Sequence, residues 1–158
     1  MADIQLGSLG VKLPESFNVH TSVFVGPEEE AEPIRLAIFK KPIPFRPNVV
    51  ITMAERAVEP GGLEEYVEEQ IALLRPLKQF QHVDRETVTC DNGEAGVLQR
   101  HVFLNADGVK IEQLQLYVAF GETAAIATAT HLAGEPFARH LEQFRGTLLT
   151  LSVKDSLH

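Results

Sequence analysis

Cysteine is almost missing from this chain: Cys90 is the only one in 158 residues. A lone thiol cannot close an internal disulfide, so nothing points to an oxidising compartment. Positive charge is scarce as well. Lys and Arg number 14 against 22 Asp and Glu, a formal net charge of −8. Such a surface repels phosphate backbones, and no basic stripe interrupts it, so a nucleic-acid partner is not expected. Anionic lipid surfaces are disfavoured for the same reason. No apolar run approaches the roughly 20 residues that a membrane helix needs, so stable membrane insertion is not expected. The first residues, Met1-Ala2-Asp3-Ile4-Gln5-Leu6-Gly7-Ser8, lack the basic and apolar regions of a secretory signal. The expectation is a soluble, cytoplasmic protein.

Reactive motifs are equally sparse. Gly61-Gly62 precedes a helical pattern, but no Lys-Ser/Thr and no G-x-G-x-x-G spacing accompanies it, so it reads as a turn. There is no G-x-S-x-G elbow. The histidines (His20, His82, His101, His131, His140 and His158) form no H-x-x-x-H or H-E-x-x-H pair. Cys90 ends a predicted strand rather than starting a helix, where its pKa would fall, so a structural role is expected. The Glu64/Glu68 and Glu65/Glu69 pairs share helix faces at i, i+4 and read as solvated residues. No enzymatic activity, metal or cofactor is expected.

What is present is the patterning of one small packed domain spanning 1–158, with 44% hydrophobic residues. Asn18 to Val25 reads as a strand, entered from a turn at Leu13 to Phe17. Gly26 to Pro33, carboxylates bracketed by prolines, reads as a solvated loop. Ile34 to Phe39 alternates at period two. Pro42, Pro44 and Pro47 then interrupt pairing until the strand from Asn48 to Ala54. Leu63, Tyr66, Val67, Ile71 and Leu74 form one apolar stripe, so a helix is predicted over 63–75, stopped by Pro76. Val83 to Cys90, Ala95 to Leu104 and Val109 to Phe120 read as strands joined by Asp91-Asn92-Gly93-Glu94 and Asn105-Ala106-Asp107-Gly108 turns. The apolar parity of the third strand shifts, which suggests a β-bulge near Glu112-Gln113. Ala124 to Thr130 reads as a strand of small side chains, with a helix as the alternative because alanine has modest β-propensity. Phe137, Leu141, Phe144 and Leu148 mark a last helix starting near Pro136. The sum is an α+β fold: a largely antiparallel sheet of about six or seven strands with two main helices.

One strand carries a chemical suggestion. In Gln113-Leu114-Gln115-Leu116 the amides fall on one face and the leucines on the other. An open amide face could hydrogen-bond a guest chain. Gln113, Gln115, Tyr117 and Gln99 are therefore the candidate partner-binding residues.

The chain as a whole resembles the DcrB-like members of the PsbP-like superfamily. The resemblance rests on Leu13-Pro14-Glu15-Ser16-Phe17, the strand Phe45-Arg46-Pro47-Asn48-Val49-Val50-Ile51-Thr52 and the helix Leu63 to Gln70. It extends to the hairpin with Gln113-Leu114-Gln115-Leu116-Tyr117-Val118, the Ala-Thr strand and the Phe137…Leu141…Phe144 helix. The resemblance implies an α/β/α sandwich and a binding or adaptor role without catalysis. Among such proteins, Eag-type chaperones of type VI secretion are cytoplasmic dimers whose curved sheets cradle apolar helices of secreted effectors. LpqN-like lipoproteins form another branch. The implied partner is a protein, such as an apolar segment of a secreted effector, held by a homodimer with an exposed apolar and amide-lined sheet face. The alternative is a small-ligand-binding protein or enzyme, with His101 or His131 beside a carboxylate in a closed pocket.

Overall fold

The computed structural model describes residues 4–6, 9–11, 19–25, 32–34, 43–55 and 57–152, with side chains from residue 45 onward. In chain order the elements are β1 (Ile4–Leu6), β2 (Leu9–Val11), β3 (Val19–Val25), β4 (Glu32–Ile34), β5 (Ile43–Phe45) and β6 (Asn48–Ala54). They continue with α1 (Leu63–Leu74), β7 (Gln81–Thr89), β8 (Ala95–Leu104), β9 (Lys110–Phe120), β10 (Thr123–Leu132) and α2 (Glu135–Leu149).

Five antiparallel strands in the order β6-β10-β9-β8-β7 form the body of the sheet, and β3 pairs along the outer side of β6. The expectation of six or seven strands overstates this five-strand body. The α+β class and the two main helices are as expected. β1 pairs with β2, and β4 with β5, as separate short ribbons.

The hairpins follow from turn chemistry. Gly93 and Gly108 take positive φ, 91° and 78°, at the two expected turns. Asn105 Oδ1 accepts the backbone N–H groups of Asp107 and Val109, tightening the β8–β9 turn. The helices lie on opposite faces of the sheet. α2 packs Phe137, Phe144 and Leu148 against Ile51, Met53, Leu98, Leu114, Leu116, Val118 and the alanines Ala125, Ala127 and Ala129. Those alanines make β10 a strand despite modest intrinsic preference, because small side chains there leave room for the phenylalanines. α1 packs Tyr66, Val67 and Ile71 against Val97, Tyr117 and Ala124 on the other face.

Several expectations need correction. No bulge interrupts β9 at Glu112-Gln113; its register with β8 and β10 runs through without a shift. The apolar parity changes because both faces of β9 are covered, so apolar residues are favoured on either side. Ile111 and Tyr117 are buried on one face, and Leu114, Leu116 and Val118 on the other. The register shift falls instead on β7 between His82 and Asp84. Pro44 does not interrupt pairing but sits opposite Pro33 in the β4–β5 ribbon, a two-stranded piece where a missing N–H is tolerated. Glu32 and Pro33 belong to that ribbon rather than to a loop; the rest of the predicted acidic loop, the turn at Leu13 to Phe17 and residues 35–39 lie outside the described residues.

Candidate functional site

β8, β9 and β10 place their polar side chains on one face by simple alternation. Register sets Gln99 opposite Gln115 and His101 opposite Gln113, while Gln115 faces Thr128 and Gln113 faces Thr130. All four residues expected to bind a partner are thus brought onto one patch. The patch is not open. Gln99 and Tyr117 are each 1% exposed, Gln115 is 9% exposed, and only Gln113 is half-buried. The expectation of an exposed amide-lined face is therefore corrected: alternation put the amides together, but this face is an interior one. Tyr66 of α1 meets Tyr117 edge-on at 6.4 Å between ring centres.

The amides bond to one another and to His101. Gln99 Nε2 donates to His101 Nδ1 at 2.7 Å and to Gln115 Oε1 at 3.2 Å. Nδ1 must then carry a lone pair, so the imidazole proton sits on Nε2 and is donated to Gln113 Oε1 at 2.7 Å. Gln113 Nε2 donates to Thr130 Oγ1, Gln115 Nε2 to Thr128 Oγ1, and the Tyr117 hydroxyl to Gln115 Oε1. Gln99 Oε1 is buried and has no hydrogen-bond partner among the described residues. Phe80 and Phe103 pack against the His101 ring at 5.4 and 5.8 Å. Burial pushes the His101 pKa below its ordinary value, against the opposing effect of its bond to Gln113. Burial likewise drives the Tyr117 hydroxyl far above the usual phenol range. Among the described residues the hydrogen-bond partners of His101 are amides rather than the expected carboxylate.

On the opposite face, Glu112 is 4% exposed and accepts from both Nε and Nη2 of Arg100 on one oxygen. Its other oxygen accepts the N–H of Gly134 at the start of α2. Arg100 lies over the Phe137 ring at 5.2 Å. His131 does face a carboxylate in register, Glu112, but that carboxylate is engaged as described, and the His131 ring packs between Phe45 and His140. Sequence pattern offered no sign of this cluster. Cys90 is buried, and burial followed by Asp91 and Glu94 raises its thiol pKa, which suits a structural role.

The opening that sequence reasoning missed is a cleft of about 160 Å³ between β7 and α2. Leu98, Leu114 and Leu141 supply apolar lining, and Asp84, Glu86, Arg100, Glu142 and Arg145 supply charge. Arg145 reaches Glu86 Oε1 with Nη2 at 2.8 Å and Nε at 3.2 Å, which ties the helix to the edge strand across the cleft. Those two residues are 59 positions apart, so no local spacing betrays the pair. Beside the cleft, β7 is the last strand of the sheet and pairs only with β8 among the described residues. Among the described residues, no three or more His, Cys, Asp or Glu side chains are grouped to hold a metal, and no helix is long and apolar enough to cross a membrane.

A Pseudomonas aeruginosa protein of unknown function, PA94, a candidate regulator, superposes with a TM-score of 0.69 at 17% identity, over 98% of this chain and 97% of that one. LpqN of Mycobacterium tuberculosis, involved in cell envelope biogenesis, superposes with a TM-score of 0.52 at 9% identity, over 89% of this chain and 88% of that one. At these identities the likeness defines the fold alone. No family model and no curated protein matches the chain.

Proposed function

We propose that this protein is a non-enzymatic binding or adaptor module of the DcrB/PsbP-like kind, recognising an extended segment of another protein along the β7 edge. The observation that carries this reading is the pairing of that edge with the cleft beside it. A strand at a sheet edge offers unpaired backbone N–H and C=O groups to a guest strand, while a neighbouring pocket selects among its side chains. The register shift at Val83 leaves a continuous run from Asp84 to Thr89 beside the cleft. The leucine lining suits the aliphatic stem of a lysine or arginine, and Asp84 and Glu142 suit its charged end. The buried amide face takes no part in recognition.

A narrower form of the same proposal is a cytoplasmic, homodimeric chaperone for an apolar segment of a secreted effector. It draws on the large apolar side chains left exposed, Leu73 at 71%, Val83 at 46% and Leu77 at 37%. The likeness to LpqN makes an envelope setting the alternative to the cytoplasm.

The test is capture of partners from a native lysate by the wild-type protein and by the Asp84→Lys/Glu142→Lys double variant, with folding checked by circular dichroism. The proposal expects a protein partner that the folded double variant no longer holds. Equal capture by both, or no protein partner for the wild type, would remove the cleft as the recognition site.

A further inference from the structure

The network under α1 has one property that recognition at the β7 edge does not use. We propose that it is an invertible proton switch: when His101 Nδ1 takes up a proton, the carboxamides of Gln99 and Gln115 turn over together, and the Tyr117 hydroxyl changes from donor to acceptor.

The bonding pattern leads there. In the neutral state Nδ1 accepts from Gln99 Nε2. A proton added to Nδ1 from solvent would face that N–H directly. Turning the Gln99 amide brings its unpartnered Oε1 to the new N–H. Gln99 Oε1 then also faces Gln115, whose own oxygen previously accepted there. Gln115 must turn in its place, presenting Nε2 to Gln99 and Tyr117 and Oε1 to Thr128. Both ends of this chain are hydroxyls, Tyr117 and Thr128, and a hydroxyl donates or accepts by rotating its hydrogen. The bond from His101 Nε2 to Gln113, and that from Gln113 to Thr130, are the same in either state. The inverted network thus keeps every heavy-atom pair, exchanges an unpartnered oxygen for an unpartnered amide nitrogen, and frees the Tyr117 hydrogen from its bond to Gln115.

The groups facing His101 bound the effect. On β7, His82 lies opposite His101 and disfavours added positive charge there, and Arg85 lies opposite Gln99. On α1, Glu68 and Glu64 hold Arg85, and Tyr66 abuts Tyr117. The turn before β7 contributes Phe80, and its Lys78 carbonyl accepts the N–H of Leu104. β10 contributes the hydroxyls of Thr128 and Thr130. Arg100 and Glu112 lie on the other face and pair with each other. The switch therefore works on the acid side of the ordinary histidine range, consistent with the lowered His101 pKa.

The experiment is a titration of the full chain from neutral to acid pH, reading the His101 ring nitrogens and the glutamine side-chain amides by NMR. The expected result is protonation of Nδ1 in one step, with the Gln99 and Gln115 amide signals moving at the same midpoint and Gln113 unmoved, while circular dichroism holds. Stationary Gln99 and Gln115 signals, or unfolding at the same midpoint, would overturn the proposal. Gln99→Leu removes the oxygen that accepts the hydrogen bond from protonated Nδ1. It should lower the proton affinity of His101 about tenfold, which is one pH unit in the midpoint. An unchanged midpoint in the folded variant would contradict the switch, and the wild-type titration decides the matter by itself if that variant does not fold.

Discussion

Beneath α1 the sheet buries amides, hydroxyls and an imidazole; beneath α2 it buries leucines, alanines and phenylalanines around an ion pair. On the α2 side stability comes from removing apolar area from water, and the Arg100–Glu112 pair holds the helix start in register. On the α1 side Tyr66, Val67 and Ile71 provide a smaller apolar contact, and the rest of the face is held by mutual hydrogen bonding. Neutral hydrogen bonds add little net stability, but a broken partner is costly. The α2 face should therefore dominate stability, and the α1 face should set which arrangement of side chains is adopted.

The comparison can be broken most sharply at Phe137, which is fully buried under α2. Phe137→Ala should cost about 3–5 kcal/mol in denaturant unfolding. A loss under about 1 kcal/mol would mean the α2 core is not the main anchor. Next comes Glu112→Leu, which strands Arg100 and the Gly134 N–H. It should cost roughly 3 kcal/mol, and adding Arg100→Met should restore most of it. If the double variant is no better than the single, the ion pair is not what the substitution removed.

On the other face, Gln115→Leu leaves the Tyr117 hydroxyl and one Gln99 hydrogen without acceptors. A cost of about 1–3 kcal/mol is expected by chemical denaturation, larger than that of the half-buried Gln113→Leu. The reverse ranking would place the centre of the network elsewhere. Acid should act on this face too. The unfolded chain protonates His101 near pH 6.5, whereas the folded one resists to lower pH. Below about pH 6.5 the unfolded state therefore binds more protons, and stability falls through the folded-state value, by at most about 1.4 kcal/mol per pH unit. His101→Gln should flatten that part of the stability profile; an unchanged profile would assign the slope to other groups. Smallest of all, Arg145→Ala removes an exposed ion pair with Glu86 and should change stability by less than about 1 kcal/mol. A larger loss would show that the α2–β7 link supports the fold rather than only framing the cleft.

Much of this architecture was legible in the residues. The Leu63, Tyr66, Val67, Ile71 stripe marked α1 to within a residue of its end, because a helix needs one continuous apolar face. Asn-Gly and Asp-Gly turns fixed the β7–β8–β9 hairpins, and hairpin register then brings Gln99 opposite Gln115. The burial of that face could not be read. Alternation separates the two faces of a strand but does not say which is covered, and amides look the same in sequence whether they meet water or each other. The parity change in β9 misled for the same reason, since covering both faces mimics a bulge. The cleft and the Arg100–Glu112–Gly134 cluster arise from residues far apart in the chain, where spacing carries no signal.

The most direct measurement of the contrast is hydrogen–deuterium exchange of glutamine side-chain amides, followed residue by residue in the native protein. An interior network under α1 predicts slow exchange at Gln99 and Gln115 and fast exchange at exposed Gln79 and Gln143. Equal, fast exchange at all four would mean that the amide face is open to solvent.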